Sequence, residues 1–192
     1  MLYQIFSLLL NVTVGLVAGT CLLRLYMQYQ RVSLSLQSGN PFAPFIFAFT
    51  NWCVLPLRRF IPSIGRLDTA SLIAAYLVVL AKLCVITLLS QVEPNWQAIA
   101  VLSLLELVHL AMTSMVWLVI AYALLSWVRT GSDAVYFLAR LVEPLLQPLR
   151  QVLPQLGGID LSPLVLLVLL QILEIVINQD RKSTRLNSSH RT

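Results

Sequence analysis

Hydrophobic and polar positions fall along this chain in blocks far longer than those of a soluble fold. Residues 2–23 carry no charge, which exceeds the roughly 20 apolar residues that take a helix across a hydrocarbon core. A second apolar run covers residues 69–92 and is broken only by Lys82. A third extends over residues 94–128 with Glu106 and His109 as its ionisable side chains, and a fourth over residues 161–178 with Glu174 near its end. The pattern predicts four transmembrane helices, at about residues 3–27, 69–92, 105–128 and 161–178. The third run is too short for two spans and a connection but long for one. It therefore reads as a single tilted or overlong helix whose first turns continue into the interface. The opening run lacks the basic start of a signal peptide and outruns the usual apolar stretch of about 7 to 15 residues, so it reads as an uncleaved span.

Between the spans the chain repeats itself. Residues 56–68 read PLRRFIPSIGRLD, and residues 148–160 read PLRQVLPQLGGID. Each copy sits in a polar-flanked connector between two apolar runs, so the chain divides into two units of helix, connector and helix, residues 1–92 and 93–180. Each unit contains an even number of crossings, so both copies point the same way, which makes the repeat parallel.

The connectors are themselves patterned. Apolar residues at 134, 138, 141, 145, 149 and 152 share one face, while Arg140, Glu143, Gln147, Arg150 and Gln151 line another. This is the 3.6-residue period of an amphipathic helix that can lie in a membrane interface. Pro144 and Pro148 argue against a fully regular helix, because each removes a donor and crowds the preceding turn. The first connector presents Phe42, Phe45, Phe47, Phe49 and Trp52 as an aromatic face. Both connectors thus read as kinked interfacial or shallow re-entrant helices. In the second copy Gly157 and Gly158 permit a sharp turn, and Ser162 before Pro163 predicts an N-cap followed by a helix-starting proline. In the first, Asp68 or Thr69 can cap the next helix. Asp68 and Asp160 can also pair with Arg58 and Arg150, from their own or the opposite repeat.

Composition sharpens this picture. The 192 residues are 58% hydrophobic and 11% charged, against about 25% charged in a soluble domain. Arg31, Arg58, Arg59 and Arg66 lie in the first connector and Arg129, Arg140 and Arg150 in the second, whereas the short loop between spans two and three carries only Glu93. The positive-inside rule then places both connectors in the cytoplasm and both termini outside. Residues 181–192, RKSTRLNSSHRT, break from everything before them and look like a translated synthetic adapter, so they are set aside as non-native. Without their four basic residues the chain has nine Lys and Arg against eight Asp and Glu, and the formal +5 falls to about +1. The charge then gives no reason to expect nucleic acid as a direct partner.

The candidate chemistry is sparse. Arg58, Arg59 and Arg150 can meet anionic phospholipid headgroups at ~1 kcal/mol each, or a specific partner. Lys82 lies near the middle of its span, where a charge must face a partner or a cavity. Glu106 and His109 are three apart on one helix face, so either can pair with Lys82. Cys21, Cys53 and Cys84 are isolated, there is no phosphate-binding glycine loop or HExxH, and His109 is the sole histidine outside the tail. No enzyme, metal or cofactor is expected from these parts.

The doubled motif resembles that of the YggT family of bacterial integral inner-membrane proteins. Pro56, Leu57, Arg58, Pro62, Gly65 and Asp68 fit the family pattern in the first copy, and Pro148, Leu149, Arg150, Pro154, Gly157 and Asp160 fit it in the second; Gln151 departs from the basic residue found beside the arginine. The resemblance covers about residues 2–178. It implies an all-α integral membrane protein of the bacterial inner membrane, with no catalytic residues carried over. Members of the family are linked to osmotic-shock tolerance through potassium uptake, and plastid and cyanobacterial relatives to nucleoid organisation and cytochrome assembly. The expected function is a non-catalytic scaffold or assembly factor that acts through its connectors on a membrane-protein partner or a second copy of itself. The alternative is a component or regulator of potassium transport, motivated by Lys82, Glu106 and Glu174.

Overall fold

The computed structural model describes residues 2–35, 39–63, 67–90, 94–127, 133–152 and 160–189, with side chains reaching Val176 in the last helix. Six helices follow one another: α1 (Leu2–Tyr29), α2 (Ala43–Arg58), α3 (Thr69–Leu89), α4 (Trp96–Trp127), α5 (Asp133–Val152) and α6 (Ser162–Ser189). The sequence of long, short and long helix occurs twice, and so does the packing. In the first half α1 packs on α2 and α3, and α2 on α3; in the second, α4 packs on α5 and α6, and α5 on α6. Contacts of α4 with α1 and α3 join the halves.

Among the described residues three helices are long and apolar enough to cross a membrane, over Tyr3–Tyr29, Thr69–Leu89 and Trp96–Ser126. The third run is one helix, as its length required: 32 residues, or roughly 48 Å at the helical rise. The fourth expected span is shorter. Its apolar part, Ser162–Val176, reaches about 22 Å of a hydrocarbon core of about 30 Å. The helix itself then carries on through the polar residues to Ser189.

The outward surfaces are apolar. Leu8, Leu9, Val12, Trp117, Leu173 and Ile175 are all exposed, an arrangement that water would penalise and lipid would not. Where helices meet, side chains are small. Ala18 of α1 and Ala70, Ala74 and Ala75 of α3 are fully or almost fully buried in one core cluster, letting the backbones approach where burial itself supplies no driving force. A second cluster is built from Leu118 and Val119 of α4, Leu138, Leu141 and Leu146 of α5, and Leu166 and Leu170 of α6. Met27 of α1 and Ile46 of α2 join it.

Both connectors are helical, and the aromatic residues of the first lie on its less buried side. In α2 the buried face is Ala43, Ile46, Thr50 and Val54, while Phe45 and Trp52 point outward. The small and β-branched residues fit the close approach to α1, and the rings are left for the surroundings. In α5 the predicted amphipathic period holds, with Leu138, Leu141, Val142 and Leu146 buried. The helix runs unbroken through Pro144 and Pro148. Both prolines, with Arg140, lie on the exposed face. The carbonyls that lose their donors, those of Arg140 and Pro144, are therefore on the side open to solvent.

Two local devices fix the end of α1, and the second ties it to the other half. Helix α1 ends in a Schellman turn: Val32 N–H donates to Met27 C=O and Arg31 N–H to Gln28 C=O, with Arg31 at φ 55° in the left-handed position usually given to glycine. Three residues before the helix ends, Tyr26 Oη donates to the Leu141 carbonyl of α5 at 2.7 Å. Tyr26→Phe is expected to cost ~1 kcal/mol, read as a small fall in the thermal unfolding midpoint of the detergent-solubilised protein.

Candidate functional site

Each connector is pinned to the start of the helix that follows it. In the first half Arg58, at the end of α2, pairs through Nη2 with the carboxylate of Asp68, the residue before α3. In the second, Arg150 near the end of α5 grips Asp160 Oδ2 with Nε at 2.8 Å and Nη2 at 2.7 Å. Both bridges span ten positions, and both lie within their own half. Each carboxylate also sits at a helix N-terminus, where the backbone dipole favours negative charge.

The caps differ from expectation. Asp68 occupies the N-cap position of α3 but makes no side-chain cap bond; its carboxylate instead takes Arg58 and the Ser71 hydroxyl, the latter at 2.7 Å. A guanidinium is the stronger donor, so the backbone loses the competition. In the second half Ser162 is the first helical residue rather than the cap. Leu161 C=O accepts the first helical bonds from Leu164 and Val165, and Asp160 Oδ1 takes the Ser162 N–H at 2.9 Å, leaving Pro163 in the first turn. Pro56 and Pro148 lie inside the connector helices, and the Pro62 carbonyl accepts the Thr69 hydroxyl at 2.8 Å. Gly65, Pro154 and Gly157 lie outside the described residues.

The two halves share the bridge but not its surroundings. Asp68 is 1% exposed and also lies 3.9 Å from the Nε of Arg24, whose side chain comes from within α1. Arg24 Nη1 donates to Thr50 Oγ1 at 2.7 Å and Asn51 Oδ1 at 3.0 Å, and the Phe47 ring lies 5.2 Å from its guanidinium carbon. Two cations thus share one carboxylate. Around Arg150 the balance is reversed: Nη1 donates to both oxygens of Glu143, at 2.8 and 2.6 Å, and Nη2 to Tyr122 Oη at 3.3 Å. Here one cation is shared by two carboxylates. Burial alone would raise the Asp68 carboxyl, but hydrogen bonds from Arg58 and Ser71 hold it below its ordinary value. For Asp160 burial is likewise outweighed, by bonds from Ser162 and Arg150. Burial opposes the charge on Arg150, yet bonds to Asp160, Glu143 and Tyr122 stabilise the cation further. Arg59 is exposed beside the first bridge.

Inside the bundle the expected polar residues resolve into two sets. Lys82 of α3, 6% exposed, pairs with Glu106 of α4 and donates to Asn11 Oδ1 of α1 at 3.0 Å. His109 instead faces Glu174 of α6, with Nδ1 3.5 Å from Oε1, and Thr113 donates to the same oxygen at 3.3 Å. Sequence reasoning missed Arg24 and Asn11. Arg24 was within reach of the rule applied to Lys82, since it too is a charge inside an expected span; Asn11 carries no such signal.

An all-helical chain with three membrane-length apolar helices, a shorter fourth and two ion-paired connectors defines a multi-pass membrane protein. The CCB3/YggT family pattern matches residues 2–89 and 101–179, and the chain belongs to that family of multi-pass inner-membrane proteins. The match falls in two segments, as the doubled motif does. The Escherichia coli K12 protein described as "Uncharacterized protein YggT" is 33% identical over 179 residues, 93% of this chain and 92% of its own. A Vibrio alginolyticus relative is 35% identical over 168 residues, 86% of this chain and 89% of its own. A Pseudomonas aeruginosa protein is 32% identical over 171 residues, covering 81% and 79%. No solved structure matches the chain.

Proposed function

We propose that this protein is a non-catalytic scaffold or assembly factor of the inner membrane, whose two connectors form the docking surface for a membrane-protein partner or a second copy of the chain. The observation that carries this reading is the repeated bridge, Arg58 to Asp68 and Arg150 to Asp160. It fixes each connector against the base of a membrane helix and leaves residues such as Trp52, Phe60 and Tyr136 exposed. A rigid interfacial helix with outward rings loses little entropy on binding. The full reading has four spans in a parallel duplicated arrangement, residues 1–92 and 93–180, with α6 completing the fourth crossing. The connectors face the cytoplasm, both termini face outward, and residues 181–192 are a non-native tail. Arg58, Arg59 and Arg150 then lie at the level of anionic phospholipid headgroups, and Asp68 and Asp160 set their pose.

Copurification from native membranes after mild crosslinking tests this reading. The Arg58→Ala, Arg150→Ala double variant, inserted at equal levels, is expected to lose a stoichiometric partner that the intact chain retains. Equal recovery with both proteins would refute the docking role.

A second reading, a component or regulator of potassium transport in osmotic stress, is favoured by the ion pair of Lys82 with Glu106 inside the bundle. Four membrane helices leave little room for an autonomous pathway, so this reading needs an oligomer or a larger partner. Potassium flux in proteoliposomes that disappears in Lys82→Leu would support it; absence of flux across ionic conditions would exclude an autonomous pore.

A further inference from the structure

Arg24 is the most deeply buried arginine among the described residues, 3% exposed, and its Nε has no hydrogen-bond partner. A buried donor left unmade costs more than an ordinary hydrogen bond gains, and here the donor belongs to a cation. Its surroundings neutralise it only in part, because it shares its carboxylate with Arg58. Thr50 and Asn51 are uncharged acceptors that hold Nη1 in place, and Phe47 covers the group from the side. Among the described residues the carboxylate nearby is Asp68, which is already engaged by Arg58 and Ser71 and stands 3.9 Å from the unused nitrogen, beyond hydrogen-bond reach.

A cleft of about 340 Å3 opens beside the Arg24 side chain, lined by Arg24 and Phe47 together with Gln28, Val32 and Arg58. Arg58, 40% exposed, borders it from α2, and Gln28 Oε1 accepts from Arg58 Nη2 at 3.3 Å. Two guanidinium groups against one carboxylate give the cleft wall a formal charge of about +1. Among the described residues of the second half the balance is the opposite, because Glu143 and Asp160 both pair with Arg150. Arg24 lies five residues before the end of α1, about 8 Å along the axis, so the cleft sits near the polar end of a membrane helix.

We propose that this cleft binds a phosphate-type oxyanion, with Arg24 as its buried anchor and Arg58 closing over it from α2. Guanidinium forks suit tetrahedral oxyanions because two parallel N–H groups meet two oxygens, and the preset orientation of Arg24 removes most of the entropy cost of making them. The volume exceeds a bare phosphate, since a water's share of liquid is about 30 Å3, so a glycerol-linked phosphate also fits. The oxyanion has two sources, a phospholipid headgroup or soluble phosphate, and both supply the same chemistry. The cleft shares Arg58 with the proposed docking surface, so the two readings are separated at Arg24: it is buried behind the connector, and its loss leaves the exposed surface of both connectors in place.

The full chain, solubilised in a zwitterionic detergent, is titrated with phosphatidylglycerol, phosphatidylcholine and inorganic phosphate, with retention read by native mass spectrometry and by thermal shift. One phosphatidylglycerol, or phosphate, is expected to bind, with affinity falling at least ~10-fold in Arg24→Gln, the loss of a charge-assisted pair. Gln28→Glu, which sets a negative charge at the mouth without touching the anchor, is expected to weaken it similarly and guards against an Arg24 variant that fails to fold. Arg140→Gln removes an exposed cation outside the cleft and is expected to change nothing. Phosphate that competes with the lipid identifies a soluble ligand; lipid retention indifferent to phosphate identifies a headgroup. Failure of both probes to bind, binding that survives Gln28→Glu and a folded Arg24→Gln, or an equal loss in Arg140→Gln would overturn the proposal.

Discussion

Replacing Glu106 with leucine is expected to destabilise the bundle by ~3–5 kcal/mol, the scale on which a buried charge stripped of its partner is felt. Lys82 would keep the Asn11 amide, a neutral acceptor that solvates an ammonium without cancelling its charge. Three helices meet at this contact, α1 through Asn11, α3 through Lys82 and α4 through Glu106, so the loss should loosen α3 and α4 together. The double variant Lys82→Met, Glu106→Leu is expected to recover most of the stability, because buried pairs exchanged for apolar side chains of similar volume are often neutral or better. Thermal unfolding in detergent or nanodiscs reads both; a drop of roughly 6 to 20 °C accompanies the single change at this chain length. If the single variant unfolds no earlier than the intact protein, the pair does not hold the bundle. The double variant also separates roles: a stable protein without potassium-linked activity would assign the pair to transport rather than to packing.

The second large effect is expected at Asp68. Asp68→Ala leaves Arg24 and Arg58 facing each other without a counter-charge, at a site where Asp68 itself is 1% exposed, and is expected to cost ~3–5 kcal/mol. Asp160→Ala, at a position 31% exposed and with Glu143 still gripping Arg150, is expected to cost clearly less, since water screens what remains. Equal losses at the two sites would show that the extra cation beside Asp68 carries no energetic weight. The pH dependence has a definite sign. Asp68 has a folded-state carboxyl below its ordinary value, so its contribution is fully present above the unfolded value of about 3.9. It is lost as pH falls through the folded value. Asp68→Asn should therefore flatten the acid limb of the stability curve; Asp160 shifts in the same direction and keeps part of the slope.

Both effects depend on neighbours that a linear reading reaches unequally. Lys82 announced itself as a charge in an apolar run, and the rule that such a charge needs company pointed to Glu106 or His109. The choice fell to packing: Glu106 faces α3 while His109, three residues on, faces Glu174 of α6. The bridges of Arg58 and Arg150 were legible because the motif repeats both partners at one spacing. Whether they would close within a half or across halves was not, since spacing along the chain does not say which way a connector folds back.

What the sequence by itself determined is the set of elements: four apolar runs, of which three form membrane-length helices and the fourth a shorter one, the amphipathic period of α5 and the doubled motif. These rest on apolar length and on local periodicity, which act over a turn or a span and need no distant partner. Only the tertiary structure decided which face of α2 is buried, that Asp160 rather than Ser162 supplies the side-chain acceptor at the start of α6, and that Arg24 shares Asp68 with Arg58. Each of these is a competition among donors, acceptors and surfaces far apart in the chain, and its winner is set by how closely small residues let the helices approach.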